Sequence, residues 1–193
     1  MFAQTLEATV RILFLRAGPQ DFPYANGLTP VLVALAVLAN GLVFSRVLPP
    51  PMALGIALAM VAALAMITRS ILRMRDVLNR FQQTFNALLA TTAVLTLALL
   101  PGFTQMAPQI LELAKHPELL EKPGAVQISG IAVFFMNLVN FWNFIVTAHI
   151  FRHAANVNLW VGIVIAFVAA GVMLFVGMIG GSVTSVLFGG LAG

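Results

Sequence analysis

Residues 159–179 read LWVGIVIAFVAAGVMLFVGMI and contain no charged side chain. A helix needs about 20 mostly apolar residues to cross the hydrocarbon core of a bilayer, and this segment meets that requirement. The whole chain has the same character, because 61% of its 193 residues are hydrophobic and only 8% are charged. Soluble domains carry about 25% charged residues, so the composition excludes a water-soluble globular protein. The sequence predicts an integral membrane protein.

The charged residues separate five long stretches that contain no charge. These stretches are 22–45, 47–68, 81–111, 123–151 and 153–193. Each is long enough to hold one membrane-spanning helix, and their continuous apolar runs differ from the alternating pattern of a membrane β-barrel strand. The remaining segments are too short for a nucleotide-binding or catalytic domain. We therefore predict one all-α domain, 1–193, folded as a polytopic bundle of five transmembrane helices.

Proline and glycine residues indicate where the helices end. An amphipathic pattern at the N-terminus predicts a short helix on the membrane surface. The predicted elements are this interfacial helix at 2–16, spans at 28–46, 52–68, 84–101, 126–150 and 159–180, and an apolar Gly-rich tail at 181–193.

The sequence does not determine the path of the chain in two segments. After Pro101-Gly102, the third helix stops, continues with a kink as far as Ala114, or forms a re-entrant element. After Gly180-Gly181, the tail folds back, lies at the membrane interface or packs on another chain. A second glycine pair, Gly189-Gly190, marks a further expected interruption.

Lysine and arginine residues predict the orientation of the bundle. If the N-terminus is cytoplasmic, seven of these cations lie on the cytoplasmic side and three on the outer side. The positive-inside rule favours this arrangement, which places the C-terminus outside. The same rule explains the net charge of +4 without nucleic acid as a partner. Membrane lipids, a homo-oligomer or a larger membrane-protein complex are the expected partners.

Residues 69–81 combine basic and apolar side chains at helical spacing, which predicts an amphipathic helix at the cytoplasmic interface. The candidate residues for binding a partner or lipid are Arg69, Arg73, Arg75 and Arg80. Two interpretations stay open. The arginines bind anionic lipid or an acidic partner, or they are ordinary positive-inside charges at the membrane surface.

The fourth predicted span carries a stripe of polar residues on one face. These residues are Asn137, Asn140, Asn143 and Thr147. They join this helix to its neighbours through hydrogen bonds, or they line a polar cavity. No Asp, Glu, Lys or Arg lies in the middle of a predicted span, which disfavours ion-coupled transport and membrane enzymes. We predict no catalytic residue, no cofactor and no enzyme activity.

His149 and His153 are four residues apart, a spacing that suits two metal ligands on one helix face. No third ligand accompanies them, and Arg152 between them would repel a cation. We interpret them as interfacial histidines and predict no metal site.

Two segments resemble the Yip1 family of membrane proteins. Residues 81–89, FQQTFNALL, are similar to the start of the third span in that family. Residues 141–160, FWNFIVTAHIFRHAANVNLW, resemble its pattern of a Trp in span four, a small polar turn and a Trp that opens span five. The resemblance covers 28–180 and implies the five-span fold. Eukaryotic members carry an aspartate-leucine-tyrosine-glycine-proline motif where this chain has only Asp21-Phe22-Pro23-Tyr24, so their Rab-GTPase role is not implied here.

Two functions fit these observations. The first is a non-enzymatic, Yip1-like scaffold or accessory subunit of a complex in a bacterial inner membrane, acting through helix packing and a basic cytoplasmic face. The alternative is a small-molecule or lipid transporter or channel subunit, with a polar path lined by span four. A cavity against Asn137 and Asn140 would favour the transporter, whereas a dry helix interface would count against it.

Overall fold

The computed structural model describes residues 2–25, 27–121, 127 and 129–188, with side chains at all of these except 120, 121 and 181–188. The described chain forms six α-helices and three short 3₁₀ turns. The helices are α1 (Phe2–Leu13), α2 (Leu28–Phe44), α3 (Pro50–Met74), α4 (Phe81–Lys115), α5 (Gly130–Ala154) and α6 (Leu159–Phe188), and the turns are Pro19–Asp21, Leu78–Arg80 and Pro117–Glu121.

Four segments of the described chain are long and apolar enough to cross a membrane. They are Pro50–Met74, Leu78–Lys115, Gly130–Ala154 and Leu159–Gly180. The helix α2 is equally apolar but has 17 residues, which reach about 25 Å at 1.5 Å per residue. The structure therefore agrees with a multi-pass membrane protein and a helical bundle, while the number of five spans stays a prediction.

The five long helices are arranged as a ring. Each packs mainly against two neighbours in the order α2, α3, α6, α5, α4, and α4 closes the ring against α2. The connections from α3 to α4 and from α5 to α6 lie at one end, which we name the basic end. Its cations are Arg69, Arg73, Arg75, Arg80 and Arg152. The connection from α2 to α3, the end of α4 and the start of α5 lie at the opposite end.

Two glycines determine how α5 meets its neighbours. A Cβ atom at Gly162 of α6 would lie 2.9 Å from the Ala148 carbonyl oxygen and 3.0 Å from the Arg152 Cβ. A Cβ atom at Gly102 of α4 would lie 2.7 Å from the Met136 Cγ. Small residues allow this close approach of membrane helices. Thus α5 lies close against α6 near the basic end and close against α4 nearer the opposite end.

Side chains of α4 and α5 hold the N-terminal segment, meaning α1 and the loop that leads to α2. The Trp142 indole Nε1 donates to the Leu13 carbonyl at 3.0 Å, and His149 Nε2 donates to the Ala17 carbonyl at 3.0 Å. Gln83 donates to two further carbonyls of the loop, at 3.0 and 3.2 Å. These contacts dock the N-terminal segment on α4 and α5.

The helix α1 turns Ile12 and small or polar side chains inward, and its other large apolar side chains outward. Its buried residues are Thr5, Ala8, Thr9 and Ile12, and the exposed apolar residues at and just after it are Phe2, Leu6, Val10 and Phe14. The outward face suits contact with lipid, as the predicted interfacial helix requires. The helix ends at Leu13, three residues before the predicted end at residue 16.

Three helices of this chain end through the same backbone motif. Leu15, Asp76 and Asn156 have φ values of 59°, 56° and 52°, just after the last turns of α1, α3 and α5. The next residue in each case donates its N–H to a carbonyl five positions back, at 2.8 to 3.0 Å. This is the Schellman arrangement, which usually places glycine at the left-handed position.

The amphipathic helix predicted at 69–81 is not one helix. Residues up to Met74 belong to α3, which ends at the left-handed Asp76, and α4 begins at Phe81 after the turn Leu78–Arg80. An aspartate tolerates the left-handed conformation better than most residues do. The helical spacing of the arginines therefore continues across a break in the helix.

The predicted ends of the third and fifth spans are also corrected. Pro101 and Pro108 lie inside the continuous helix α4, so the span does not end at residue 101. Of the three paths left open after Pro101-Gly102, the helix takes the one that continues, and it ends at Lys115. Proline removes one backbone hydrogen bond, and membrane helices tolerate the loss because nearby groups satisfy the freed carbonyl. The helix α6 likewise continues through Gly180-Gly181 to Phe188. The predicted interruption at Gly189-Gly190 lies outside the described residues.

Candidate functional site

The helical ring encloses a cavity of about 520 Å³. Small-molecule sites in proteins measure about 300–1,000 Å³, so its size suits a small ligand. All five long helices contribute to its lining. The polar lining residues are Asn40, Thr92, Thr96, Asn140, Asn143 and Thr147, and no charged residue is among the described lining residues.

The polar groups of the described lining lie on one side of the cavity, where they alternate with apolar groups. The polar residues come from α2, α4 and α5, which are neighbours in the ring. The residues that α3 and α6 contribute are all apolar, among them Met60, Leu64, Ala169 and Met173. The side formed by α5, α4 and α2 carries all six polar lining residues among apolar ones, and we name it the polar wall. The side formed by α3 and α6 is an apolar wall.

Three of the four residues in the predicted stripe line the cavity together. Asn140, Asn143 and Thr147 belong to its polar wall, whereas Asn137 is exposed and outside the described lining. At about 100° per residue, Asn137 lies roughly 60° around the helix from Asn140, at the edge of the stripe. That angle is enough to turn its side chain away from the cavity.

The polar residues that α2 and α4 contribute were not among those predicted from the sequence. Asn40 is buried and donates its Nδ2 to the Ala36 carbonyl at 2.8 Å. Thr92 and Thr96 lie one helical turn apart on α4. A polar residue in an otherwise apolar span was the available signal, since such residues usually face the inside of a bundle.

Two asparagines have buried side-chain atoms without a hydrogen-bond partner among the described residues. One is Oδ1 of Asn143, on the cavity wall, and the others are both amide atoms of Asn86. Asn86 is 0% exposed and lies outside the described lining of the cavity. An unpaired buried polar atom costs about 1–3 kcal/mol.

The four candidate arginines do not form one surface. Arg80 is half-buried, and its Nη1 donates to the His153 and Ala154 carbonyls at 3.3 Å each. It thereby satisfies the last carbonyls of α5, where a cation also suits the helix dipole. The exposed members of the set are Arg69, Arg73 and Arg75. Arg80 therefore has a structural contact, and the other three stay available for a partner or lipid.

A second, smaller pocket of about 280 Å³ lies at the basic end, between the N-terminal loop and the ends of α4 and α5. Gln83 and His153 are among its lining residues. The imidazole rings of His149 and His153 lie edge to face, with centroids 4.5 Å apart. In the described ranges, no group of three His, Cys, Asp or Glu side chains is placed to hold a metal ion.

No family model, curated protein or solved structure matches this chain. The resemblance to the Yip1 family in residues 81–89 and 141–160 therefore stays a prediction.

Proposed function

We propose that this membrane protein binds a small uncharged molecule or a lipid inside its helical ring and moves it within or across the membrane. The supporting observation is the cavity of about 520 Å³ against Asn140, Asn143 and Thr147. Polar residues that only joined helices would lie in a tight interface with partners on the neighbouring helix. This cavity instead favours the transporter or channel-subunit hypothesis over a dry helix interface.

The chemistry of the wall defines the class of ligand. Its amides and hydroxyls offer hydrogen bonds, but the described lining offers no counter-charge. Placing an isolated charge in such a site is strongly unfavourable, so the ligand is uncharged. The division into a polar and an apolar wall suits a molecule that has a polar side and an apolar side. Neither ion coupling nor proton coupling has a group to act through in this lining.

The proposal is tested by identifying what the protein carries. The full chain is purified gently in detergent or nanodiscs and analysed by native mass spectrometry for bound small molecules. Asn143→Leu removes a polar group from the cavity, and Asn137→Leu is the matched control on the exposed side of the same helix. We expect a bound molecule on the wild type and the control, and much less on Asn143→Leu. No bound molecule, or equal amounts on both variants, contradicts the proposal.

A second function, a scaffold or accessory subunit, is supported by Arg69, Arg73 and Arg75. All three are exposed at the basic end, and none pairs with an acidic residue in the part of the chain that the structure describes. Exposed cations near an anionic membrane surface contribute about 1 kcal/mol each to lipid association. The expected partner is an acidic protein surface or anionic lipid at the cytoplasmic face.

The scaffold function is tested by changing these three arginines to glutamate together. Arg80 stays unchanged because it contacts the end of α5. The triple variant is expected to lose co-purifying protein or anionic lipid while keeping its helical content by circular dichroism. Unchanged association would leave the scaffold function without support.

A further inference from the structure

The helices α5 and α6 separate with distance from the basic end. They touch at Gly162, where an added Cβ atom would lie 2.9 Å from the Ala148 carbonyl oxygen. Further along, α5 lies against α4 at Gly102, whereas α6 lies against α3, since a Cβ atom at Gly180 would lie 3.5 Å from the Ile56 Cγ1. Away from the basic end, α5 therefore packs on α4 and α6 packs on α3. This arrangement leaves a lateral gap between α5 and α6.

The cavity reaches the surface at this gap. Of the described lining residues, three are exposed, namely Asn140 of α5 and Ala170 and Leu174 of α6. Every lining residue from α2, α3 and α4 is buried or half-buried. We name the exposed set, Asn140, Ala170 and Leu174, the mouth. It lies near the middle of both helices and not at an end of the bundle.

The surface beside the mouth is apolar. Leu138 and Phe141 of α5 are exposed, as are Phe167 and Val168 of α6. In a membrane protein such a surface faces the hydrocarbon region, so the mouth opens to lipid and not to water. The amide of Asn140 is the polar group at the mouth.

We infer that the cavity receives its ligand sideways from the bilayer through this mouth, and that the ligand is a single-chain neutral lipid with a free hydroxyl group. The inference rests on the proposed function and adds the route and the ligand class. At roughly 30 Å³ for a water-sized group, a cavity of 520 Å³ holds about 17 such groups, enough for one chain with a small head. The exposed amide of Asn140 at the mouth donates and accepts hydrogen bonds. A hydroxyl group can take both roles, an alkane takes neither, and a carboxylate brings a charge that no described lining residue balances.

The ligand class is tested with photoactivatable probes in phosphatidylcholine nanodiscs. Three probes share one long chain with a diazirine near its middle and end as an alcohol, an alkane or a carboxylate. We expect the alcohol to label α5 and α6 around the cavity more strongly than the alkane. A single hydrogen bond predicts a difference of roughly 2- to 10-fold. Equal labelling by the alcohol and the alkane, or strongest labelling by the carboxylate, overturns the ligand class.

The route is tested by blocking the mouth after the protein has folded. The native chain has no cysteine, so Ala170→Cys places a single thiol at the mouth. Val168→Cys places one on the exposed face of the same helix, outside the described lining, as the control. A bulky maleimide is attached in detergent at alkaline pH before the protein enters nanodiscs, and mass spectrometry confirms complete modification. On residue 170 it should strongly reduce labelling by the alcohol probe, while the same group on residue 168 should not.

The outcomes separate the route from the proposed function. If blocking residue 170 leaves alcohol labelling unchanged while Asn143→Leu still loses its bound molecule, the route is wrong and the binding cavity stands. If the Ala170→Cys thiols join two copies in a disulfide in the membrane, a second copy covers the mouth and the route is overturned. If no probe labels the cavity and no molecule is bound to the wild type, both proposals fail.

Discussion

Replacing Gly162 with alanine tests whether α5 and α6 meet as closely as the structure shows. The added methyl group would lie 2.9 Å from the Ala148 carbonyl oxygen and 3.0 Å from the Arg152 Cβ. Ordinary contacts of a Cβ atom begin at 3.4 Å. The two helices must therefore move apart by roughly half an ångström, and backbone atoms cannot yield as the end of a flexible side chain does.

The expected free-energy change is the difference between two opposing effects. Overpacking of this kind costs about 1–3 kcal/mol. Replacing glycine by alanine inside a helix returns about 0.5–1 kcal/mol through lower backbone entropy in the unfolded chain. Gly162→Ala should therefore lower the free energy of unfolding by up to about 2.5 kcal/mol, with a central value of about 1 kcal/mol.

Gly171→Ala in the same helix is the matched control. A Cβ atom there meets nothing within 4 Å among the described atoms, so only the favourable backbone effect applies. Both variants are unfolded by raising the fraction of sodium dodecyl sulfate in mixed micelles, and helix content is followed by circular dichroism. We expect Gly162→Ala to be less stable than the wild type and Gly171→Ala to be equal or more stable.

Equal stabilities for the two variants would refute the close contact at Gly162. The lateral gap would lose support as well, because it depends on α5 and α6 touching near the basic end and separating beyond it.

Two further substitutions test side-chain contacts by the same unfolding assay. Trp142→Phe removes the donor to the Leu13 carbonyl and should lower the free energy of unfolding by about 0.6–2 kcal/mol. The control Trp160→Phe, at an exposed position, should change it little. Equal effects of the two substitutions would exclude a specific role for the hydrogen bond. Arg80→Gln leaves the last carbonyls of α5 without their cation and should lower the free energy of unfolding by about 1–3 kcal/mol. Arg75→Gln, at an exposed position, should lower it by less than about 0.5 kcal/mol. An unchanged stability of Arg80→Gln would contradict the role of Arg80 at the end of α5.

The membrane class and most helix positions follow from the sequence, because a long charge-free run is compatible with few structures other than a membrane-spanning helix. The helix ends are less predictable, because Leu15, Asp76 and Asn156 adopt a backbone conformation for which glycine is the usual signal. At residues 180–181 the error is the reverse, because the glycine pair predicted a helix end where the helix continues. Glycine weakens a helix in water, but membrane helices accommodate it well, so α6 does not end there.

The candidate site was likewise predicted only in part. Helical spacing within α5 was enough to place Asn140, Asn143 and Thr147 on one face. It could not show that Asn40 and Thr92 lie on the same wall, because the order of helices in the ring differs from their order in the chain. Contacts between helices depend on tertiary packing, for which a single sequence carries no direct signal.

The hydrogen bond from Trp142 to Leu13 joins residues 129 positions apart, so α1 is held by a helix that is synthesised much later. At about 5–20 residues per second, the ribosome needs roughly 6–26 s to make the chain between them. During that interval α1 lacks its contacts with α5, and its apolar side chains give it a membrane surface to rest on. Docking of the N-terminal segment is therefore a late step of biogenesis, and a nascent chain that stops before residue 142 cannot complete it.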